Sequence, residues 1–241
     1  MNLGFSGARI SIQEETVVKN MPNACVQSSY CKVLGDTVSP RILREYPTYY
    51  EMERLCEDKR ITELDIKLLL QERVWRRKPV STCESWHAAL TSWLFSKNEA
   101  TLLDRFGALY GGDINEQLYD YVLIHGDPTI SNTMRNIYGD LRLIDPIQPT
   151  GKVPYLKEVD MGKILQSYIG WESLVASGLS FGNPVMENIR ECPILVNEPE
   201  EMVEKSVFWL AVHLRRIVPY AKAKGRQDVI KEIHKAKNVC L

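Results

Sequence analysis

The chain has 241 residues, 44% hydrophobic and 25% charged, with 30 basic side chains against 31 acidic ones. That length buries a core without metal or disulfide staples, and the composition is that of a globular protein rather than a disordered one. A net charge of −1 sets up no global field for nucleic acid or an anionic membrane surface. The densest local basic run, Arg73, Arg76, Arg77 and Lys78, reads first as a solvated helix end.

Six cysteines, at 25, 31, 56, 83, 192 and 240, form no C-x-x-C pair and no zinc-ligand spacing. They read as free thiols of a reducing compartment. The first residues carry no charged head and no long apolar core, and no apolar run reaches the length of a membrane span. A cytoplasmic protein without membrane contact is the expectation.

In chain order, residues 3–20 predict a hairpin whose second arm is Thr16-Val17-Val18-Lys19. Residues 21–40 read as irregular. A helix is predicted to start near Ser39-Pro40 and restart at Tyr46-Pro47, with Met52 and Leu55 on its apolar side. Ile61–Arg77 has amphipathic spacing and ends at Lys78-Pro79. Ser81–Leu94 reads as a helix with Trp86, Ala89, Leu90, Trp93 and Leu94 on one stripe, a core stripe before a ligand platform. Residues 99–110 and 114–120 predict one helix or two short ones around Gly111-Gly112.

Tyr121–Ile124 predicts a short buried strand, and Thr133–Tyr138 with Leu141–Ile144 a hairpin turning at Gly139-Asp140. A loop over 146–157 leads to a helix over Val159–Leu179, then a long helix pair over 199–224 and 226–238. The order is α+β rather than alternating βαβ units.

The informative stretch is His125-Gly126-Asp127-Pro128-Thr129-Ile130-Ser131-Asn132, followed by Leu143-Ile144-Asp145. A buried strand delivers Asp127 just past its end, Asn132 offers an amide oxygen five residues on, and a hairpin returns Asp145. Two carboxylates and an amide at neighbouring strand ends suit a hard cation such as Mg²⁺, with one carboxylate left to orient a hydroxyl and take its proton. Each residue alone is also a common turn former; the complete pattern is far more constrained.

This pattern resembles the aminoglycoside phosphotransferase and choline kinase group of the protein-kinase-like superfamily. The resemblance implies a two-lobed protein-kinase-like fold, with a small β-rich N-lobe over 1–80 and a mostly helical C-lobe over 81–241. It implies Asp127 as the base for the acceptor hydroxyl, Asn132 and Asp145 as Mg²⁺ ligands, and His125 as support for the loop. The segments Val159-Asp160-Met161-Gly162-Lys163 and Tyr168-Ile169-Gly170-Trp171 are similar too. Asp160 then braces the loop, or else is a simple helix N-terminal acid.

At the N-terminus, Ser6, Gly7 and Ala8 lie on a glycine-containing hairpin able to approach phosphates, and Lys19 is the strand lysine that neutralises them. A helix glutamate should pair with Lys19; Glu45, Glu51 and Glu53 are the candidates, with Glu51 mildly preferred. Asp145 is followed by Pro146-Ile147, so a protein-kinase type of activation segment is not expected, and the N-lobe is compressed.

The implied activity is transfer of the γ-phosphoryl group of ATP, with Mg²⁺, to a hydroxyl of a small metabolite such as a sugar or amino alcohol. The partners are thus a nucleoside triphosphate and a small acceptor. The rival readings are a pseudokinase-type binding module, phosphorylation of a protein target, and nucleotidyl transfer.

Overall fold

The computed structural model describes residues 8–79, 86–111, 119–149, 153–177 and 189–240. Ser6 and Gly7 lie outside the described residues, as do 81–85 of the expected third helix and most of 114–120.

The first part is a four-stranded antiparallel sheet in the order β1-β2-β4-β3. Its strands are β1 (Arg9–Ile12), β2 (Thr16–Asn20), β3 (Ile42–Glu45) and β4 (Tyr49–Glu53). The expected first hairpin is present as β1 and β2. The expected helix over 41–55 is instead the β3–β4 hairpin. Period two decides it: Tyr50 and Met52 are buried while Tyr49, Glu51 and Glu53 are not, and Pro47 sits in the turn.

A second correction concerns 21–40, where α1 runs from Ala24 to Leu34. Ala24, Ser28, Cys31 and Leu34 recur at helical spacing on its buried face. Small and polar residues in that stripe, and the preceding Pro22-Asn23, mask it in the sequence.

The remainder is helical. Its helices are α2 (Glu63–Arg73), α3 (Trp86–Ser96), α4 (Ala100–Tyr110), α5 (Lys157–Tyr168), α6 (Trp171–Ser177), α7 (Glu200–Ala223) and α8 (Gln227–Cys240). Thr62 opens α2 with a capping box: its hydroxyl accepts from Asp65 N, and the Asp65 carboxylate accepts from Thr62 N. The expected single helix over 159–179 is broken between α5 and α6 at Gly170, which has φ 90°. A short hairpin, β5 (Thr133–Arg135) and β6 (Leu141–Leu143), interrupts the helices as expected. Tyr121–Ile124 is buried or half-buried but joins no sheet. Its N–H groups go to isolated loop carbonyls, Val122 to Tyr155 at 2.9 Å and Leu123 to Arg77 at 2.6 Å.

Two apolar cores result. Val17, Ala24, Tyr50 and Met52 pack under the sheet. The larger core joins α2 to α8 with the inner face of α1. The division at residue 80 puts α2 with the small lobe, yet Ile66 and Leu70 of α2 are fully buried in the larger core. Tyr30 of α1 donates to Ile124 O at 2.6 Å, and Arg77 donates to the carbonyls of Leu34 (2.7 Å) and Val33 (2.5 Å) at the C-terminal end of α1. These bonds tie the sheet's helix to the segment that leads into the His125 loop. Among the described residues no helix is long and apolar enough to cross a membrane.

Candidate active site

Gly126 explains why the loop takes its shape. Its φ is 85°, and a Cβ there would lie 2.1 Å from the carbonyl oxygen of Ile147. Only glycine permits that approach. The close neighbour is held in place, because Ile147 N donates to His125 O at 2.9 Å.

α5 runs beneath the loop and fixes it at three points. Asp160 accepts from His125 N (2.9 Å), Gly126 N (2.7 Å) and Trp75 Nε1 (3.0 Å), and is fully buried. Lys163 places Nζ 2.8 Å from Asp127 Oδ1 and 3.3 Å from Gln166 Oε1. Ser167 Oγ accepts from Ile130 N at 2.9 Å and donates to Glu172 of α6 at 2.6 Å. Residues 160, 163 and 167 form one helical stripe, and they meet the loop in its own order.

Within the loop, the Asn132 amide nitrogen donates to both the carbonyl oxygen (3.0 Å) and Oδ2 (2.9 Å) of Asp127. Its backbone accepts from Ile144 N at 2.8 Å, which seats Asp145 beside it. Asp145 has φ 58°, a conformation costly for a residue with a Cβ. Its carboxylate pairs with the ammonium of Lys19. Lys19 is 2% exposed, so this ion pair is what makes its burial tolerable. The four side chains singled out from sequence, Lys19, Asp127, Asn132 and Asp145, are thus linked in two contacting pairs joined through the Asn132–Ile144 backbone bond.

Burial also sets protonation. His125 is completely enclosed, and desolvation lowers its pKa to about 4, so its ring is neutral at pH 7. Its Nδ1 accepts from Asp127 N at 3.3 Å. Desolvation raises Asp160 to about 6, against the pull of the N–H groups of His125 and Gly126. Cys31, near Asp145, is pushed up to about 12 by burial and is an inert thiol.

Glu51 requires correction. It lies on β4 opposite Val18, whereas Lys19 is opposite Tyr50. Cross-strand partners share a sheet face and neighbours alternate, so Glu51 points to the face away from Lys19. Its carboxylate is 3.7 Å from Arg44. Glu45 is held by Ser28 and Lys32, and Glu53 accepts from Arg41 N at 3.0 Å. The helix that follows the Lys19 strand carries Gln27, which accepts from Tyr50 Oη at 2.9 Å. Ala8, the described member of the Ser6–Ala8 segment, is buried just before β1.

Solved structures share this overall fold. A protein from Haemophilus somnus 129PT assigned as a fructosamine-3-kinase superposes with a TM-score of 0.59 at 12% identity, covering 99% of this chain and 89% of that one. The gentamicin complex of APH(2")-IIa gives 0.53 at 13% identity, covering 98% and 91%. A second protein assigned as a fructosamine-3-kinase, from Thermobifida fusca YX-ER1, gives 0.52 at 13% identity, covering 97% and 95%. The fold is the protein-kinase-like one of these structures, a small antiparallel sheet followed by a mostly helical part. No protein-family model matches the sequence, and no curated protein matches it either.

Within this kinase-like fold, the donor set suits a hard cation. Because the Asn132 amide nitrogen is spent on Asp127, its oxygen faces away from that carboxylate. That oxygen and the second oxygen of Asp145 could serve as hard donors, and two protein donors are a number typical of Mg²⁺ sites completed by phosphate and water.

Sequence reasoning missed Lys163, Ser167 and Trp75. What marks Lys163 is burial, which the sequence does not display. Glu158–Ser167 is buried all round, and a lysine in such a helix must have a partner.

Proposed function

We propose that this chain transfers the γ-phosphoryl group of ATP to a hydroxyl of a small metabolite such as a sugar or amino alcohol. The observation that carries the reading is the junction of two contacts in a kinase-like fold: Asp127 held by Asn132, and Asp145 paired with Lys19 across 126 residues of sequence. Further support comes from the shared fold with proteins assigned as fructosamine-3-kinases and with one solved with gentamicin.

In this mechanism the acceptor hydroxyl donates to the Asp127 carboxylate, whose orientation Asn132 and Lys163 fix. The hydroxyl oxygen forms the new bond to the γ-phosphorus as the bond to the β–γ bridging oxygen breaks, and Asp127 receives the proton. Lys19 neutralises nucleotide phosphate charge. Asn132 and Asp145 would hold Mg²⁺, which supplies charge neutralisation on the phosphates. His125 and Asp160 hold the loop. No covalent intermediate with the protein is needed, so positioning and charge stabilisation carry the rate.

The test is a metabolite-mixture screen with ATP and Mg²⁺, read by mass spectrometry for a gain of one phosphate. Asp127→Ala should abolish transfer and retain nucleotide binding. Transfer by that variant at the wild-type rate would remove Asp127 from its role. A phosphate or nucleotidyl group found on the protein itself would point to the protein-modifying alternatives.

A further inference from the structure

The helix that follows the Lys19 strand offers Lys19 no acid. α1 carries neither Asp nor Glu. Its polar side chains are engaged elsewhere: Gln27 accepts from Tyr50 Oη, and Ser28 and Lys32 hold Glu45. Glu51 and Glu53 of β4 are turned to Arg44 and to Arg41 N. Among the described residues, Asp145 is the one carboxylate in contact with Lys19. The two partners are unequally enclosed. The Lys19 side chain is 2% exposed and that of Asp145 27%, so the pair opens to solvent on the carboxylate side. Asp145 is also held in place, because Ile144 N is bonded to Asn132 O at 2.8 Å and residue 145 sits at φ 58°. The group read as neutralising nucleotide phosphate and the group read as holding the metal therefore neutralise one another.

A buried ammonium without a counter-charge is costly, and so is a carboxylate left without its cation. Opening the pair is favourable only when both halves are replaced together, by phosphate oxygens at Lys19 and by a divalent cation at Asp145. We propose that the Lys19–Asp145 ion pair is an exchange latch that selects metal-bound over metal-free nucleotide. Metal-free triphosphate satisfies Lys19 only by leaving Asp145 unpaired beside the phosphates. A metal ion alone satisfies Asp145 only by leaving Lys19 unpaired in the interior. The inference rests on the phosphotransferase reading and adds to it the form in which the nucleotide enters.

Titration calorimetry measures ATP affinity in EDTA and in excess Mg²⁺. Wild type should bind metal-free ATP far more weakly than the Mg²⁺ complex. Asp145→Asn keeps the side-chain shape, and Asn tolerates the left-handed conformation. It frees Lys19 and should bind metal-free ATP roughly tenfold to a hundredfold tighter than wild type, as expected for a charge-assisted hydrogen bond, while losing the gain from Mg²⁺. Simple relief of repulsion between carboxylate and phosphates has the same sign, so a double-mutant cycle includes Lys19→Met; in that background Asp145→Asn should gain little. Melting curves by circular dichroism establish that each variant is folded. Retention of Mn²⁺ without nucleotide, read by electron paramagnetic resonance, tests the other half without Asp145→Asn: Lys19→Met should hold the ion more tightly than wild type. Four results overturn the latch and leave the phosphotransferase reading standing: equal wild-type affinity in EDTA and Mg²⁺, no gain in Asp145→Asn, an equal gain in the Lys19→Met background, or Mn²⁺ held no better by Lys19→Met. A wild-type protein that binds ATP in neither condition overturns the phosphotransferase reading, and the latch with it.

Discussion

Replacing Gly126 by alanine tests the geometric core of the site. Two costs add. A side chain at φ 85° is held in the left-handed region, worth roughly 1–2 kcal/mol. The new Cβ would also sit 2.1 Å from Ile147 O, against backbone rather than a flexible side-chain end. Relieving that contact requires the Ile147 segment or the loop to move by about 1 Å or more, which strains the Ile147–His125 bond; one such bond contributes about 1 kcal/mol. The total is about 2–3 kcal/mol, and for a chain of this size each kcal/mol lowers Tm by about 2–4 °C. Gly139→Ala is the matched control, with φ 87° and nothing within 4 Å of the added Cβ. It carries the conformational cost alone. Thermal melting should show Gly126→Ala losing clearly more than Gly139→Ala. Turnover should fall roughly a hundredfold in the first and little in the second, since about 1 Å of misplacement at a reacting group has that effect. If the two variants melted together and turned over alike, the close approach of the loop to Ile147 would not be what shapes the site.

Three further outcomes are expected. Asp145→Ala strips the buried Lys19 ammonium of its partner and should destabilise more than Lys19→Met, which leaves a partly solvated carboxylate; the double variant should recover part of the loss in urea unfolding, and Asp145→Ala should weaken Mg²⁺–nucleotide binding by calorimetry. Because the folded pKa of His125 lies at about 4, below the ordinary 6.5, the stability it supplies is full above pH 6.5 and is lost as pH falls toward 4. At about 1.4 kcal/mol per pH unit that window is worth ~3 kcal/mol, so the stability difference between wild type and His125→Gln should shrink by about that much from pH 7 to pH 4. Asp160, raised to about 6 by burial, acts oppositely: its contribution favours the fold at low pH and is lost as pH rises from 3.8 through 6, which flattens the wild-type profile. Thr62→Ala should cost about 1 kcal/mol through loss of the α2 cap and leave nucleotide binding unchanged.

The loop and the β5–β6 hairpin were legible because their signals are local. His125 to Asn132 is one contiguous pattern, and Gly139 marks its own turn. The amphipathic spacing of α2 likewise needed no partner to be read. The β3–β4 hairpin was not legible, since Tyr46-Pro47 serves a helix start as well as a turn. What decides between them is pairing with β2, namely Met52 against Val17 and Tyr50 against Lys19. The same cause defeated the choice of Glu51. A wrong secondary structure puts a side chain on a face that does not exist, and in a strand one residue is the difference between facing Lys19 and facing Arg44.

The α5 stripe shows why a motif and its supports differ in legibility. Asp127 is recognisable because its neighbours in sequence are also its neighbours in the site. Asp160, Lys163 and Ser167 act 30 residues and more away from the groups they hold, and what unites them is helical pitch. Each holds a different chemical group: backbone N–H groups by a carboxylate, a carboxylate by an ammonium, and an N–H by a hydroxyl. A side chain moved one position along α5 would turn about 100° away and meet nothing in the loop. The loop therefore takes its register from the helix beneath it, and α5 takes its own from burial against α7, where Val159 meets His213. The burial that makes α5 a poor carrier of sequence signal is what makes it a rigid support: a helix without a wet face has no freedom to roll and carry Lys163 away from Asp127.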